Sequence, residues 1–302
     1  MELVNLAGRI YNLKRRINYR FVPVFLARCY MNKEHVANLW DFLQDKPLRQ
    51  RTLDVNPQFF GQLTRSFFFR GSTCKERYAA IVDTMSAMEA RFSEKALEAM
   101  YLNERKPLLL MDISYGSPED GNKLEAGMLF RAGEVREGAM TLFVRSGDRM
   151  VYHVNFWLWN NDGKLDMYIG CHQGSKLGLE MNKMLTKEFF GYRPKNLIIY
   201  LARELAKFLG INKLYAVSDY GFYAQNHWGR RNRKLLVSYD DFWEECGGTL
   251  SEDKRFYELP INEHRKTIEE LPPKKRAKYR KRFVFLDQLA ENFALAMQKW
   301  QK

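Results

Sequence analysis

The sequence predicts an α+β fold. A helical N-terminal region covers residues 1–105, an antiparallel meander passing into a β-α-β-α unit covers 106–271, and a basic amphipathic helix covers 272–302. Three observations predict it. Apolar residues before Pro107 recur at three- and four-residue steps. From Pro107 to His172, short strand-like runs alternate with turn signals. After Gln173, helical patterns are separated by single buried-looking strands.

Leu3, Leu6, Ile10, Leu13 and Ile17 form one stripe, which predicts an amphipathic first helix. Pro47 and Pro57 break the helical patterns that follow, and "ERYAAIVDTMSAMEARF" continues them. "PLLLMDISY" opens the strand region. "LEAGMLFRAG", "GAMTLFVRS", "RMVYHVNFWLW" and "KLDMYIGCH" follow, bounded by "GEVREG", "SGDR" and "NNDG". Asn-Asp-Gly marks a hairpin, because primed turns need positive φ. With the turn centred on Asn161-Asp162, Asn155 faces Tyr168, His153 faces Gly170 and Val151 faces His172. Alternation then puts His153, Asn155, Trp157, Trp159, Asp166, Tyr168, Gly170 and His172 on one face. "LEMNKMLTKEFF" and "NLIIYLARELAKFLG" read as helices, the second closed by Gly210. "INKLYAVSD" reads as a buried strand, "SYDDFWEEC" as a short helix starting near Ser238, and "RFYELP" as a last strand. Beyond Pro272-Pro273, Tyr279, Phe283, Leu286, Ala290, Phe293, Met297 and Trp300 line one face of a final helix.

The 302 residues allow one large domain or two ordinary ones, and no stretch is apolar enough for a membrane span. "FVPVFLA" is too short for one and lacks a cleavage site, so no signal peptide is read. Four scattered cysteines without C-x-x-C point to reduced thiols in a cytoplasm and to no metal motif. The net charge of +13 is concentrated. Arg9, Lys14, Arg15, Arg16, Arg20, Arg28 and Lys33 lie in a stretch with no acid. Lys274, Lys275, Arg276, Lys278, Arg280, Lys281 and Arg282 form a second cluster. Such segregation marks a surface for anions. Cations at a helix start oppose the macrodipole, so helix stability does not explain the second cluster. Beside an amphipathic stripe it suits an anionic membrane surface. Nucleic acid is the rival partner, and a merely solvated face is the plain alternative.

Three stretches could carry chemistry. In "GYRPKN", Gly191, Tyr192, Arg193, Pro194, Lys195 and Asn196 open a helix. Free N–H groups, flanking cations and proline at the first position suit a phosphate, or simply cap a core helix. In "CHQG", His172 with His153 opposite could supply a general base, and Gln173 and Gly174 adjoin. Hydrogen-bonded core histidines are the alternative. In "SDYGFYAQNHWGRRNRK", Tyr223, Asn226 and His227 could orient a substrate or protonate a leaving group, and Arg230, Arg231, Arg233 and Lys234 could hold phosphates. A solvated loop reads equally well.

"YIGCHQG", "LTKEFFGYRPKNLIIYLARELAKFLG", "AVSD", "SYDDFWEECGG", "FYELP" and "KKRAKYRKR", in this order, resemble the VirK/YbjX family of Gram-negative bacteria. That resemblance implies a role in virulence, envelope integrity and tolerance of cationic antimicrobial peptides, and assigns no catalytic residue. The stretch from the meander through "RPKNLIIYLARELAKFLG" and "INKLYAVS" to "DDFWEECGG" also looks like the core of GNAT acyltransferases, where strand, loop and helix hold the pyrophosphate of coenzyme A. The GNAT loop Gln/Arg-x-x-Gly-x-Gly/Ala is absent here, and some twenty residues separate "CHQG" from "GYRP". The likeness implies a coenzyme A thioester or another phosphate-bearing acyl donor on Gln173, Gly174 and Gly191 to Asn196, with His153 or His172 taking the proton. The sequence thus predicts a cytoplasmic protein, peripheral on the inner membrane face, acting as an acyl- or aminoacyl-transferase or as a non-catalytic scaffold.

Overall fold

The computed structural model describes residues 3–11, 16–175, 179–226 and 238–302. Among the described residues seven α-helices precede the sheet: α1 (Leu3–Tyr11), α2 (Phe21–Met31), α3 (Lys33–Gln44), α4 (Pro47–Val55), α5 (Gln58–Thr64), α6 (Cys74–Arg91) and α7 (Glu94–Tyr101). The first is shorter than its periodicity predicts. Among described residues it ends at Tyr11, and Ile17 lies in a 3-10 turn with its side chain in solvent. The long helix α6 starts at a reciprocal cap. Thr73 Oγ1 accepts from the Glu76 N–H, and the Glu76 carboxylate accepts from the Thr73 N–H.

Among the described residues eight strands form one sheet: β1 (Leu108–Ser114), β2 (Lys123–Leu129), β3 (Met140–Ser146), β4 (Arg149–Asn161), β5 (Lys164–Gly174), β6 (Leu214–Val217), β7 (Thr249–Leu250) and β8 (Phe256–Leu259). Their spatial order is β1-β2-β3-β4-β5-β6-β8-β7. Among the described residues the single parallel pair is β5 with β6, and it ends at Ile169↔Ala216. Between these strands the chain passes through α8 (Leu179–Glu188) and α9 (Pro194–Leu209). Helix α10 (Tyr239–Glu245) follows β6, and α11 (Pro273–Trp300) closes the fold. The α9 boundaries match their signals: Pro194 takes the first position, and Gly210 adopts the left-handed φ of +69° that stops the helix. One apolar core runs from Leu6 to Met297 through the sheet.

The β4–β5 register differs from the sequence expectation. The residues that take positive φ are Asp162 (50°) and Gly163 (81°), so the turn is centred one residue later. Asn160 therefore pairs with Leu165 and Trp157 with Tyr168. A bulge then leaves Gly170 unpaired: Phe156 pairs with Ile169, Asn155 with Cys171 and His153 with Gln173. The extra residue flips the alternation beyond it. His172 lies opposite Val154, on the other face from His153. Gly170 is required there, because a Cβ would collide with the Glu137 carbonyl oxygen and lie 2.8 Å from the Trp157 ring.

The two faces are covered differently. Phe68 and Phe69, from the N-terminal region, pack edge-on and flat against Trp157. Helix α9 covers the opposite side of β3, β4 and β5, and α11 packs on α9 and on the edge strand β1. Of the predicted stripe of α11, Leu286, Phe293 and Met297 are buried, joined by Leu289 and Ala296, while Tyr279, Phe283, Ala290 and Trp300 are half-buried; the first turns are mostly exposed.

Candidate functional site

The start of α9 borders a cavity of about 320 Å³, lined by Tyr152, Asn182, Lys183, Thr186, Arg193, Pro194 and Lys195. Helix α8 supplies one wall, β4 the floor and the first α9 turn the other wall. Three of the predicted phosphate-binding residues therefore reach one open space. Their charges are already engaged. Arg193 forms an ion pair with Glu245 of α10, and Lys195 Nζ lies 3.4 Å from the same carboxylate. Lys195 also sits over the Phe242 ring at 4.5 Å. Partial burial and the neighbouring Arg193 charge push the Lys195 ammonium below its ordinary value.

Gly191 does not face this cavity. Phe190 (φ 53°) and Gly191 (φ 80°) make a left-handed turn against α11. A Cβ on Gly191 would come within 2.6 Å of Lys278 Nζ and 2.8 Å of Arg282 Nη2. Arg282 donates to the Phe190 carbonyl from Nε at 3.1 Å and Nη2 at 2.9 Å. Tyr192 turns away as well, donating to Glu263 Oε1 at 2.5 Å. Asn196 Oδ1 accepts from Arg193 Nε at 3.0 Å. The close-approach glycine thus serves a helix–helix contact.

The two histidines serve separate sites. His172 is stacked between Tyr152 (5.3 Å) and Phe242 (4.6 Å), and its Nε2 is 3.0 Å from the Lys195 carbonyl. That bond requires the Nε2–H form as donor. Enclosure pushes the imidazole down to about 3, only partly offset by the carbonyl contact. His172 is therefore neutral at physiological pH and holds the α9 start in place. Because its folded value lies below its ordinary 6.5, unfolding takes up a proton between those limits. Its contribution to stability is complete above the ordinary histidine value and is lost as pH falls toward 3. Urea unfolding from pH 7 to 4 should show a pH slope steeper, by up to about one proton, than that of His172→Phe. Equal slopes would refute the neutral, enclosed imidazole.

On the other face His153 is buried, with Nε2 2.9 Å from Glu134 Oε2. Burial alone would raise the Glu134 carboxyl. The His153, Arg131 and Asn155 contacts overcome it and hold the group below its ordinary value. Thr141 Oγ1 donates to Asn155 Oδ1 at 2.7 Å, and Gln173 Nε2 donates to Glu137 Oε2 at 3.0 Å. Glu137, buried beside the Cys171 thiol, is pushed up by desolvation. The sequence reading misses these carboxylates. The signal was the run of His153 and Asn155 on an apolar strand, since buried polar groups need partners.

The remaining residues are dispersed. Tyr223 is buried against Phe67 and Phe222. Gly174 pairs with Tyr152 at the end of β5. Arg15, His227, Arg230, Arg231, Arg233 and Lys234 lie outside the described residues. Arg16 is exposed. On α11, Lys274, Lys275, Lys278, Arg280 and Lys281 are exposed, while Arg276 donates to the Leu271 and Glu269 carbonyls. No described helix is long and apolar enough to cross a membrane.

Comparison with known sequences places this architecture. A family model described as a protein of unknown function (DUF535) matches residues 13–294. The chain belongs to that family. An uncharacterized protein YbjX of Escherichia coli K12 is 31% identical over 221 residues, which is 72% of this chain and 63% of the relative's length. Two uncharacterized proteins of Haemophilus influenzae are each 24% identical, covering 87% and 86% of this chain and 85% of their own lengths. No solved structure gives a significant match. The family match spans both the α9 cavity and the basic start of α11.

Proposed function

We propose that this chain is a GNAT-type acyl- or aminoacyl-transferase. It works as a peripheral protein on the anionic inner face of the cytoplasmic membrane, in support of envelope integrity, virulence and tolerance of antimicrobial peptides. The observation that carries the reading is the place of the α9 cavity. The central parallel pair β5/β6 stops at Ile169↔Ala216 beside the Gly170 bulge, and the helix that follows β5 and α8 begins at an open space. Ligands of α/β sheets favour the carboxyl ends of parallel strands and the starts of the helices that follow. In this reading Arg193 and Lys195 hold the phosphates of a coenzyme A thioester or a similar donor. His172 holds the α9 start without titrating, and proton transfer falls to Tyr152 and Lys183, which line the cavity.

Glu245 then acts as an internal stand-in for the donor's phosphate, since both cations already share it. Calorimetric titration with acetyl-coenzyme A tests this. Arg193→Ala should weaken binding at least about ten-fold, as loss of a charge-assisted bond does. Glu245→Gln should strengthen it, because the cations no longer need to exchange partners. Absence of binding by wild type, or indifference to both substitutions, refutes the donor site.

A second reading, a scaffold without catalysis docked on anionic membrane, is favoured by the same Glu245 pairing. It predicts vesicle binding without coenzyme A binding. Nucleic acid as the anionic partner is the third reading, and competition between duplex DNA and anionic vesicles distinguishes it.

A further inference from the structure

We infer that a second cavity, between α9, α10 and the segment around residue 263, binds a small zwitterionic amino acid, its carboxylate on Arg203 and its ammonium on Glu263 and Glu244. The cavity measures about 290 Å³. Its floor includes Arg203, Tyr192 and Cys246, and its mouth Glu244, Glu263 and Lys266.

Arg203 carries the inference. Its side chain is only 3% exposed, yet little of its donor capacity is used. Nη2 donates to the Cys246 carbonyl at 2.8 Å. The Glu263 carboxylate is 3.8 Å from Nη1, beyond hydrogen-bond reach. Nε is buried and has no partner among the described residues. A guanidinium presents five N–H donors in a planar fork, and buried donors require acceptors. The acceptor that fits such a fork is a carboxylate.

Charge at the mouth decides the rest of the ligand. Among the described residues Glu263 Oε1 accepts a hydrogen bond from the Tyr192 hydroxyl, and the carboxylate faces Arg203 at 3.8 Å and Arg265 at 3.9 Å in ion pairs too long for hydrogen bonds. Glu244 accepts the Tyr257 hydroxyl at 3.1 Å. Both carboxylates therefore have capacity left for a cation. Glu245 is neutralised by Arg193 and Lys195, while Lys266 and His264 stand at the exposed rim. A phosphate dianion would meet the Glu244 and Glu263 charges, whereas a zwitterion answers the guanidinium and the carboxylates together. The inference does not require the donor reading above, although the two sites share Glu245.

Thermal-shift and calorimetric titrations of the full chain with each free proteinogenic amino acid test it. At least one amino acid should bind and raise the melting temperature. The corresponding decarboxylated amine should bind about ten- to hundred-fold more weakly. Arg203→Lys keeps the charge but loses the fork, and Glu263→Gln keeps the shape but loses the charge. Each should weaken binding about ten-fold in protein with a wild-type circular dichroism spectrum. Coenzyme A affinity, measured in parallel, should be unchanged in Arg203→Lys, so failure of either site is read separately. Three results would overturn the inference: no amino acid bound by folded wild type, binding undiminished in both variants, or inorganic phosphate bound as tightly as any amino acid.

Discussion

Replacing Lys274, Lys275, Lys278, Arg280 and Lys281 together by Gln is expected to weaken binding to anionic vesicles by about three orders of magnitude. These five side chains are exposed on the first turns of α11. Arg276 and Arg282 stay in place because they tie down the carbonyls of Glu269, Leu271 and Phe190. Each basic residue near an anionic surface contributes about 1 kcal/mol, so five removals cost about 5 kcal/mol. That corresponds to roughly 10³- to 10⁴-fold in affinity. Wild-type binding should also fall steeply between low and physiological salt, as screening shortens the reach of the charges. Co-sedimentation with phosphatidylserine-containing and neutral vesicles measures both effects. Binding that ignores salt, or that survives the five substitutions, removes the membrane from the functional reading.

Gly170→Ala should lower stability by about 2–3 kcal/mol, the range for forcing extra atoms into a packed interior. The added methyl has no room: the Glu137 carbonyl and the Trp157 ring both occupy its place. Relief would require lifting the Glu134–Gly138 segment. Gln62 pins that segment through bonds from Nε2 to the carbonyls of Val135 (3.0 Å) and Gly138 (2.7 Å). The melting temperature should fall by roughly 3–5 °C for a chain of this size. Gly133→Ala is the matched control, because nothing lies within 4 Å of a Cβ there. It should stay within about 0.5 kcal/mol of wild type. Equal melting temperatures for the two variants would show that the bulge tolerates a side chain.

How much could be read from the amino acids depended on how local each signal was. The α9 boundaries were legible because Pro194 and Gly210 act within one turn of the helix ends. The buried stripe of α11 was legible from its spacing. The hairpin was legible as a hairpin, but its register was not. Two candidate positions could carry the turn, and choosing between Asn161-Asp162 and Asp162-Gly163 moves every pair. The bulge depends on a contact between Gly170 and Glu137, which no local pattern encodes. The same holds for Gly191. Its sequence context matches a phosphate-approach glycine, yet the groups that crowd it are Lys278 and Arg282 from the last helix. The Glu245 partner of Arg193 and Lys195 was likewise invisible, since it lies some fifty residues further along the chain and meets them only once α10 has folded against the start of α9.

The seating of α11 on α9 and β1 sets an order of assembly. Among the described residues strand β1 is hydrogen-bonded on one side only, to β2, and its flank is packed by α11 residues that a ribosome makes more than a hundred positions later. Until those residues emerge, a nascent chain carries an open sheet edge next to Met111 and Ile113. Contacts of such long sequence separation form slowly. The interval between synthesis of β1 and arrival of α11 therefore leaves this edge open to mispairing.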